Sequence, residues 1–210
     1  MFSIQSIQKK FGKRSLFSDV TLDLQAGKVY ALIGASGSGK TTLLNILAKL
    51  ESYDAGDILY KGKDLKKLKP HLFFREELGY LFQNFGLLES QTIRENLDLG
   101  LIGQKLSKDE RKSRQEAVLD AVGLPYLDLS QPIYELSGGE AQRVALAKVI
   151  LKNPPLILAD EPTAALDPKS SQEIMDILLS LKSPDRLIVI ATHNPLIWER
   201  ADLIIKMEDL

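Results

Sequence analysis

Val29-Tyr30-Ala31-Leu32-Ile33 runs straight into Gly34-Ala35-Ser36-Gly37-Ser38-Gly39-Lys40-Thr41-Thr42, after which Leu43, Ile46, Leu47 and Leu50 recur at i, i+3, i+4 and i+7. The unbroken apolar run is that of a strand buried on both faces of a parallel sheet, and the later spacing marks one face of a helix. Between them lies the pattern G-x-x-x-x-G-K-[ST] in the strand-to-helix setting that gives it meaning. Its glycines let successive backbone N–H groups converge on phosphate oxygens, and the helix N-terminus adds partial positive charge. Lys40 supplies a full charge to the β- and γ-phosphates of a nucleotide, and the Thr41 hydroxyl can hold Mg²⁺. Gly34, Ser36, Gly37, Ser38, Gly39, Lys40, Thr41 and Thr42 are therefore the candidate phosphate-binding residues.

Leu156–Ala159 and Leu187–Ala191 are also continuously apolar and read as strands of the same parallel sheet. The first ends in Asp160-Glu161, where Asp160 would bind Mg²⁺ through water and Glu161 would polarise an attacking water. Ile174, Ile177, Leu178 and Leu181 predict a further amphipathic helix, and Leu203–Met207 a last strand. Near the start, Phe2 and Ile4, then Val20, Leu22 and Leu24, alternate with polar residues as half-exposed antiparallel strands do.

Thr92 with Glu95, and Ser107 with Glu110, each match a capping box, so two helices are expected there, the second ending before Gly123. Residues 61–77 hold six basic and three acidic side chains around Pro70 and read as a solvated connection. The whole chain has 27 basic and 28 acidic residues in 210, a net charge of −1 that gives no electrostatic reason for nucleic-acid binding. The absence of cysteine excludes disulfides and thiolate metal sites. No apolar run reaches the roughly 20 residues that span a bilayer.

Leu136-Ser137-Gly138-Gly139-Glu140-Ala141-Gln142-Arg143 is the segment that separates this chain from other phosphate-loop proteins. It resembles the signature of the ATP-binding cassette (ABC) family, ahead of an alanine-rich helix with Ala141, Ala145 and Ala147. A hydroxyl, backbone N–H groups and a helix N-terminus make it a second anion-binding turn. The resemblance implies that Ser137, Gly138 and Gly139 complete the nucleotide site of a partner chain. Two chains packed head to tail would then enclose two ATP molecules.

Other family landmarks follow in order. Gln83, in Tyr80-Leu81-Phe82-Gln83, resembles the glutamine that meets Mg²⁺ and the attacking water. Ala164-Ala165-Leu166-Asp167 looks like the family's D-loop, and Asp167 before Pro168 is also a good helix N-cap. His193, in Ala191-Thr192-His193-Asn194, resembles the switch histidine that bonds the γ-phosphate and steadies the general base. Phe11, in Lys10-Phe11-Gly12, stands where the family places an aromatic that stacks on adenine. Ala141 replaces a common glutamine and Ala164 a frequent serine or glycine, changes that remove neither a phosphate ligand nor the catalytic carboxylate. His71 is assigned no role.

The resemblance implies an α/β fold: a P-loop NTPase core with a mostly parallel sheet flanked by helices, an N-terminal antiparallel β subdomain and an inserted α-helical subdomain. Residues 1–83 and 136–210 would form the nucleotide-binding core, and 84–135 the insert. The implied activity is Mg²⁺-dependent ATP hydrolysis, coupled to transport by a separate membrane permease that holds the chain peripherally at the cytoplasmic face. The partners implied are ATP, a second ATPase subunit, most simply an identical chain, and the permease, with no nucleic acid. Phe82–Leu97 is especially similar to the lipoprotein-release and macrolide-efflux group and to lactococcin-type bacteriocin exporters, so export is expected. With the chain ending at Leu210, soon after the expected last strand, no added regulatory domain is expected. The alternative is a soluble ABC ATPase acting as an assembly scaffold.

Overall fold

A computed structural model describes every residue except 165. In chain order the first elements are β1 (Phe2–Phe11), β2 (Arg14–Leu24), β3 (Val29–Ile33), α1 (Lys40–Leu47), β4 (Ala55–Tyr60) and β5 (Lys63–Asp64). There follow α2 (Pro70–Leu72), β6 (Leu78–Leu81), α3 (Ile93–Asp98), α4 (Lys108–Ala121), α5 (Gly138–Lys152) and β7 (Leu156–Asp160). The last are α6 (Pro168–Ser180), β8 (Leu187–Ala191), α7 (Pro195–Trp198) and β9 (Leu203–Lys206). They form two compact units: Met1–Leu78 with Pro155–Glu161 and Lys182–Leu210, and Gly79–Pro154 with Pro162–Leu181.

The first unit holds two kinds of sheet, as the two hydrophobic patterns predict. An antiparallel sheet has the order β2-β1-β4-β5. The continuously apolar segments give parallel strands in the order β7-β8-β3-β9, every residue of β7 and β8 being buried. Helices α1 and α7 pack on these strands, α1 against β7 and β8 and α7 against β3. Register places Leu32 and Asp160 beside Ala191. The carboxyl ends of β3, β7 and β8 thus come together, where ligands bind in open α/β sheets.

Helix α1 is one turn shorter than its apolar stripe. Lys49 takes a left-handed conformation (φ 60°), its N–H donates to Ile46 O, and the Leu50 N–H donates to Asn45 O. This is a Schellman stop with lysine where glycine is usual, and it leaves Leu50 exposed. The 61–77 segment is more ordered than a solvated connection. It contains β5, a 3₁₀ turn at Leu65–Lys67 and α2 running into a π-turn at Phe73–Glu77, with Leu65 and Phe73 buried. Two widely spaced apolar residues anchor it, a spacing that matches no periodic template.

The second unit is built on helices. Both expected capping boxes are present: Thr92 and Ser107 each accept from the N–H of Glu95 and Glu110, whose carboxylates accept in return from the cap N–H groups. Ile93, Leu97, Val118, Leu119, Val122 and Val144 are the centre of its core, with Leu87 packed at the margin. Among the described residues no helix is long and apolar enough to cross a membrane.

Candidate active site

The phosphate loop lies between β3 and α1, closed by the Ser38 N–H donating to Ala35 O at 3.1 Å. Gly39 (φ 101°) caps α1 in a conformation that side chains avoid, and a β-carbon there would meet Leu16 at 3.0 Å. Lys40 is 8% exposed, and its Nζ donates to Gly34 O at 2.8 Å and Ala35 O at 3.2 Å. The ammonium is thus held inside its own loop, and among the described residues it forms no direct ion pair. Ser38 Oγ is buried without a hydrogen-bond partner, and the space over the Gly37 α-carbon is open. Ser36 is exposed and Thr42 half-buried.

At the end of β7, Asp160 is 4% exposed and its Oδ1 accepts from Thr41 Oγ1 at 3.1 Å. Burial pushes this carboxyl above the ordinary aspartate range; the Glu161 charge adds to that, while the Thr41 hydrogen bond and the Lys40 charge oppose it. Glu161 follows in a left-handed conformation (φ 45°), its N–H donating to Ala191 O at 2.9 Å. That turn aims its carboxylate across the strand ends. Oε1 lies 2.9 Å from Nδ1 of His193, and the His193 N–H donates to Oε2 at 3.4 Å. The His193 side chain is 70% exposed, so the pair opens outward.

Phe11 ends β1 opposite Arg14 and is 51% exposed. Lys9 Nζ lies 4.8 Å from its ring centroid while pairing with Glu51 at 2.6 Å, and Arg14 Nη2 donates to Gly37 O at 3.2 Å. The aromatic face is therefore available on a hairpin whose next strand touches the phosphate loop.

The remaining candidates belong to the second unit. Ser137 caps α5: its Oγ donates to Glu140 Oε2 at 2.6 Å, its N–H donates to the same oxygen at 2.8 Å, and the Glu140 N–H donates back to Oγ at 3.3 Å. Tyr126 Oη donates to Glu140 Oε1 at 3.0 Å. Ser137's hydroxyl and N–H hold the Glu140 carboxyl below the ordinary glutamate range, against the effect of burial. Ser137, Gly139, Glu140 and Arg143 share a polar cleft of about 330 Å³ with Lys169 and Ser170. Asp167 Oδ1 accepts from the N–H groups of Lys169 and Ser170, both at 3.0 Å, and so caps α6 as expected. Gln83 is exposed in the turn after β6. Ala165 of the expected D-loop lies outside the described residues.

The unpartnered Ser38 hydroxyl, the loop-held Lys40 ammonium and the open space at Gly37 fit a polyphosphate. Thr41 and Asp160 offer the hard oxygen donors that Mg²⁺ takes, one or two from protein and the rest from phosphate and water. A family model described as ABC transporter matches residues 17–164.

The chain belongs to the ABC transporter family.

Among individual proteins, the ABC cassette is 39% identical over 197 residues to the methionine import ATP-binding protein MetN of Clostridium acetobutylicum, covering 92% of this chain and 61% of the relative. It is 36% identical over 198 residues to the macrolide export ATP-binding/permease protein MacB of Salmonella typhimurium, covering 93% of this chain and 30% of that protein. The chain therefore spans about three fifths of the one and under a third of the other. Among solved structures it matches the dimeric ATP-binding cassette MJ0796 in a post-hydrolysis state bound to ADP and Pi. The TM-score is 0.88 at 32% identity, over 98% of this chain and 94% of the other. The matched region is thus similar to the ATP-binding part of these relatives.

Sequence reasoning missed several supporting residues of the ABC cassette. The Ser137–Glu140 box was legible, since Ser-x-x-Glu repeats the pattern at Ser107 and the Thr92 pair. Asn96, fully buried, exchanges hydrogen bonds with both backbone groups of Leu88 and so fixes the segment after Gln83. Tyr126 and Lys148 gave no signal, because their partners are far away in sequence.

Proposed function

We propose that this chain binds ATP with Mg²⁺, closes head to tail on a second copy of itself, and hydrolyses the γ-phosphate to power a separate membrane permease. The carrying observation is the 2.9 Å pairing of Glu161 with His193 beside the Thr41–Asp160 pair, at the strand ends that hold the phosphate loop. Mg²⁺, when bound, would neutralise charge on the β- and γ-phosphates and is assigned to Thr41, Asp160 and Gln83. Lys40 leaves its loop carbonyls to meet the phosphate oxygens, and Ser38 finds its missing acceptor there. Glu161 polarises the attacking water and takes its proton, while His193 fixes the carboxylate and bonds the γ-phosphate. Phe11 stacks on the base. Ser137, Gly138 and Gly139 serve the nucleotide of the partner chain, where the N–H groups at the start of α5 reach the γ-phosphate and Asp167 lies at the edge. Chemistry of this kind rests on position and charge rather than a covalent intermediate.

Closure on ATP and reopening after hydrolysis would be the work delivered to the permease, a population shift biased by the γ-phosphate. The chain would then sit at the cytoplasmic face, held there by the permease. We assign the direction as export, of peptide, lipoprotein or drug, on the likeness of Phe82–Leu97 to exporters and of the chain to MacB. The likeness to MetN favours import as the second reading. Transport assayed in both directions, with the permease in vesicles, separates the two.

Glu161→Gln should abolish turnover, keep ATP bound and yield a dimer on ATP. Near-normal turnover would remove Glu161 from its role. Ser137→Arg should stop hydrolysis while the isolated chain still binds ATP, and loss of that binding would refute the trans arrangement. Co-purification with soluble partners alone would sink the transporter reading in favour of a scaffold.

A further inference from the structure

The turn that carries Gln83 lies against helix α5 and is tied to it by a hydrogen bond. After β6 the chain reverses through Phe85 (φ 67°) and Gly86 (φ 61°), two successive left-handed residues, with the Phe85 N–H donating to Phe82 O and the Gly86 N–H to Asn84 O. Gly86 admits no side chain, since a β-carbon would lie 2.4 Å from the Phe82 ring. That ring in turn stacks on Tyr80 at 4.1 Å between centroids. The turn is therefore a tightly specified object. It approaches α5 at two heights. The Phe85 ring approaches to 3.7 Å of where a β-carbon on Gly138 would lie, at the helix start. Almost three helical turns later, Lys148 Nζ donates to Gly86 O at 2.6 Å.

Lys148 is an odd choice for a purely structural tie. It is half-buried, no carboxylate among the described residues pairs with it, and the charge acting on it is the like charge of Lys152. Burial and that neighbour pull its ammonium down to about 8. A hydrophobic residue of the same length would avoid this cost. What the ammonium supplies, and an apolar chain would not, is a directed hydrogen bond to the carbonyl of a left-handed residue whose backbone makes no regular pairing.

We propose that Lys148 is a positioning residue that latches the Gln83 turn to the signature helix, so that the glutamine of one nucleotide site and the serine serving the other move as one piece. The proposal rests on the reading of Gln83 and Ser137 given above. Gln83 answers to the nucleotide bound by its own chain, Ser137 to the nucleotide bound by the partner, and the latch joins the two responses. Phe85 lies beside the signature end, and Lys148 ties the far end.

The test compares Lys148→Met, Lys148→Arg and Phe85→Leu in the full chain. The methionine variant keeps the length and volume of the stem but loses the donor; arginine keeps a donor. For Lys148→Met the expected result is a kcat lowered by about tenfold or more, as for a misplaced catalytic group, with the KM for ATP within about twofold. In the Glu161→Gln background the same change raises the ATP concentration needed for dimerisation, read by light scattering. Amide hydrogen exchange rises at residues 82–87 in the nucleotide-free chain and not in β3. Lys148→Arg recovers most of the lost kcat, and Phe85→Leu, which leaves the ammonium in place, weakens ATP-driven dimerisation in the same sense. Unchanged kcat in Lys148→Met, no recovery with arginine, or unaltered exchange at 82–87 overturns the proposal. Should Lys148→Met not fold, the arginine and Phe85→Leu variants decide by the same readouts. A Glu161→Gln parent that never dimerises on ATP would refute the two-site reading itself, while the exchange measurement would still report on the latch.

Discussion

Nδ1 of His193 and Oε1 of Glu161 lie 2.9 Å apart across the ends of two adjacent parallel strands. The pair exists because Glu161 turns left-handed immediately after β7 and His193 stands two residues beyond the end of β8. A histidine that orients the base without binding the base or ribose affects rate rather than affinity. His193→Ala is expected to lower kcat by about 10²-fold or more while leaving the Kd for ATP nearly unchanged, measured by steady-state turnover and nucleotide titration. A matching loss of affinity would show that the imidazole is chiefly a binding group.

The Ser137–Glu140 box gives the signature turn a dependence on acid. Because the folded Glu140 carboxyl titrates below its ordinary value of about 4.5, its contribution is complete above that value and lost as pH falls through the lower, folded one. Thermal midpoints of the parent and Glu140→Gln, followed from pH 6 to about 3, should converge at the acid end. Parallel profiles would show that the carboxylate does not stabilise the cap. Removing the cap itself with Ser137→Ala is expected to cost about 1 kcal/mol, read by denaturant unfolding.

Phe11 can offer a base only its flat face, since a phenyl ring has no hydrogen-bonding group. Phe11→Ala should weaken ATP binding by about two- to tenfold, the equivalent of one aromatic contact, and Phe11→Tyr should restore it. Because stacking does not read base edges, GTP should suffer the same loss as ATP in fluorescence titrations. A change confined to ATP would imply recognition by another group.

Gly56 marks where the antiparallel sheet cannot accept a side chain. Its φ is 89°, and a β-carbon would lie 2.5 Å from Ser6 O and 2.6 Å from Gln5 O, beside a register shift between Gln5 and Gln8. Gly56→Ala should destabilise the first unit by about 2 kcal/mol or more, seen as a lower urea midpoint. An unchanged midpoint would mean that the β1–β4 bulge can relax.

Those parts of the fold governed by local chemistry could be read directly from the chain. Val29–Ile33 and Leu187–Ala191 coincide with β3 and β8 because continuous burial leaves no polar position to blur the ends. Both capping boxes formed because each needs only residues three apart. Leu50 misled because a stripe of apolar residues does not reveal that Lys49 turns left-handed and ends the helix. At the site, the motif residues themselves were legible, and the geometry brings Thr41 to Asp160 and Glu161 to His193. What fastens the Gln83 turn and the signature turn was not: Lys148 with Gly86, and Tyr126 with Glu140, are contacts made by tertiary folding between residues with no local pattern in common.

The left-handed backbone at Glu161 carries one more consequence. A carboxylate-bearing residue held at φ 45° is strained, and glycine or asparagine would sit there at lower cost. Laboratory selection for heat resistance alone would thus find profit in discarding the very side chain assigned to activate water. Directed evolution of this domain toward robustness, run without a turnover screen, would drift toward well-folded molecules that grip their nucleotide and never let it go.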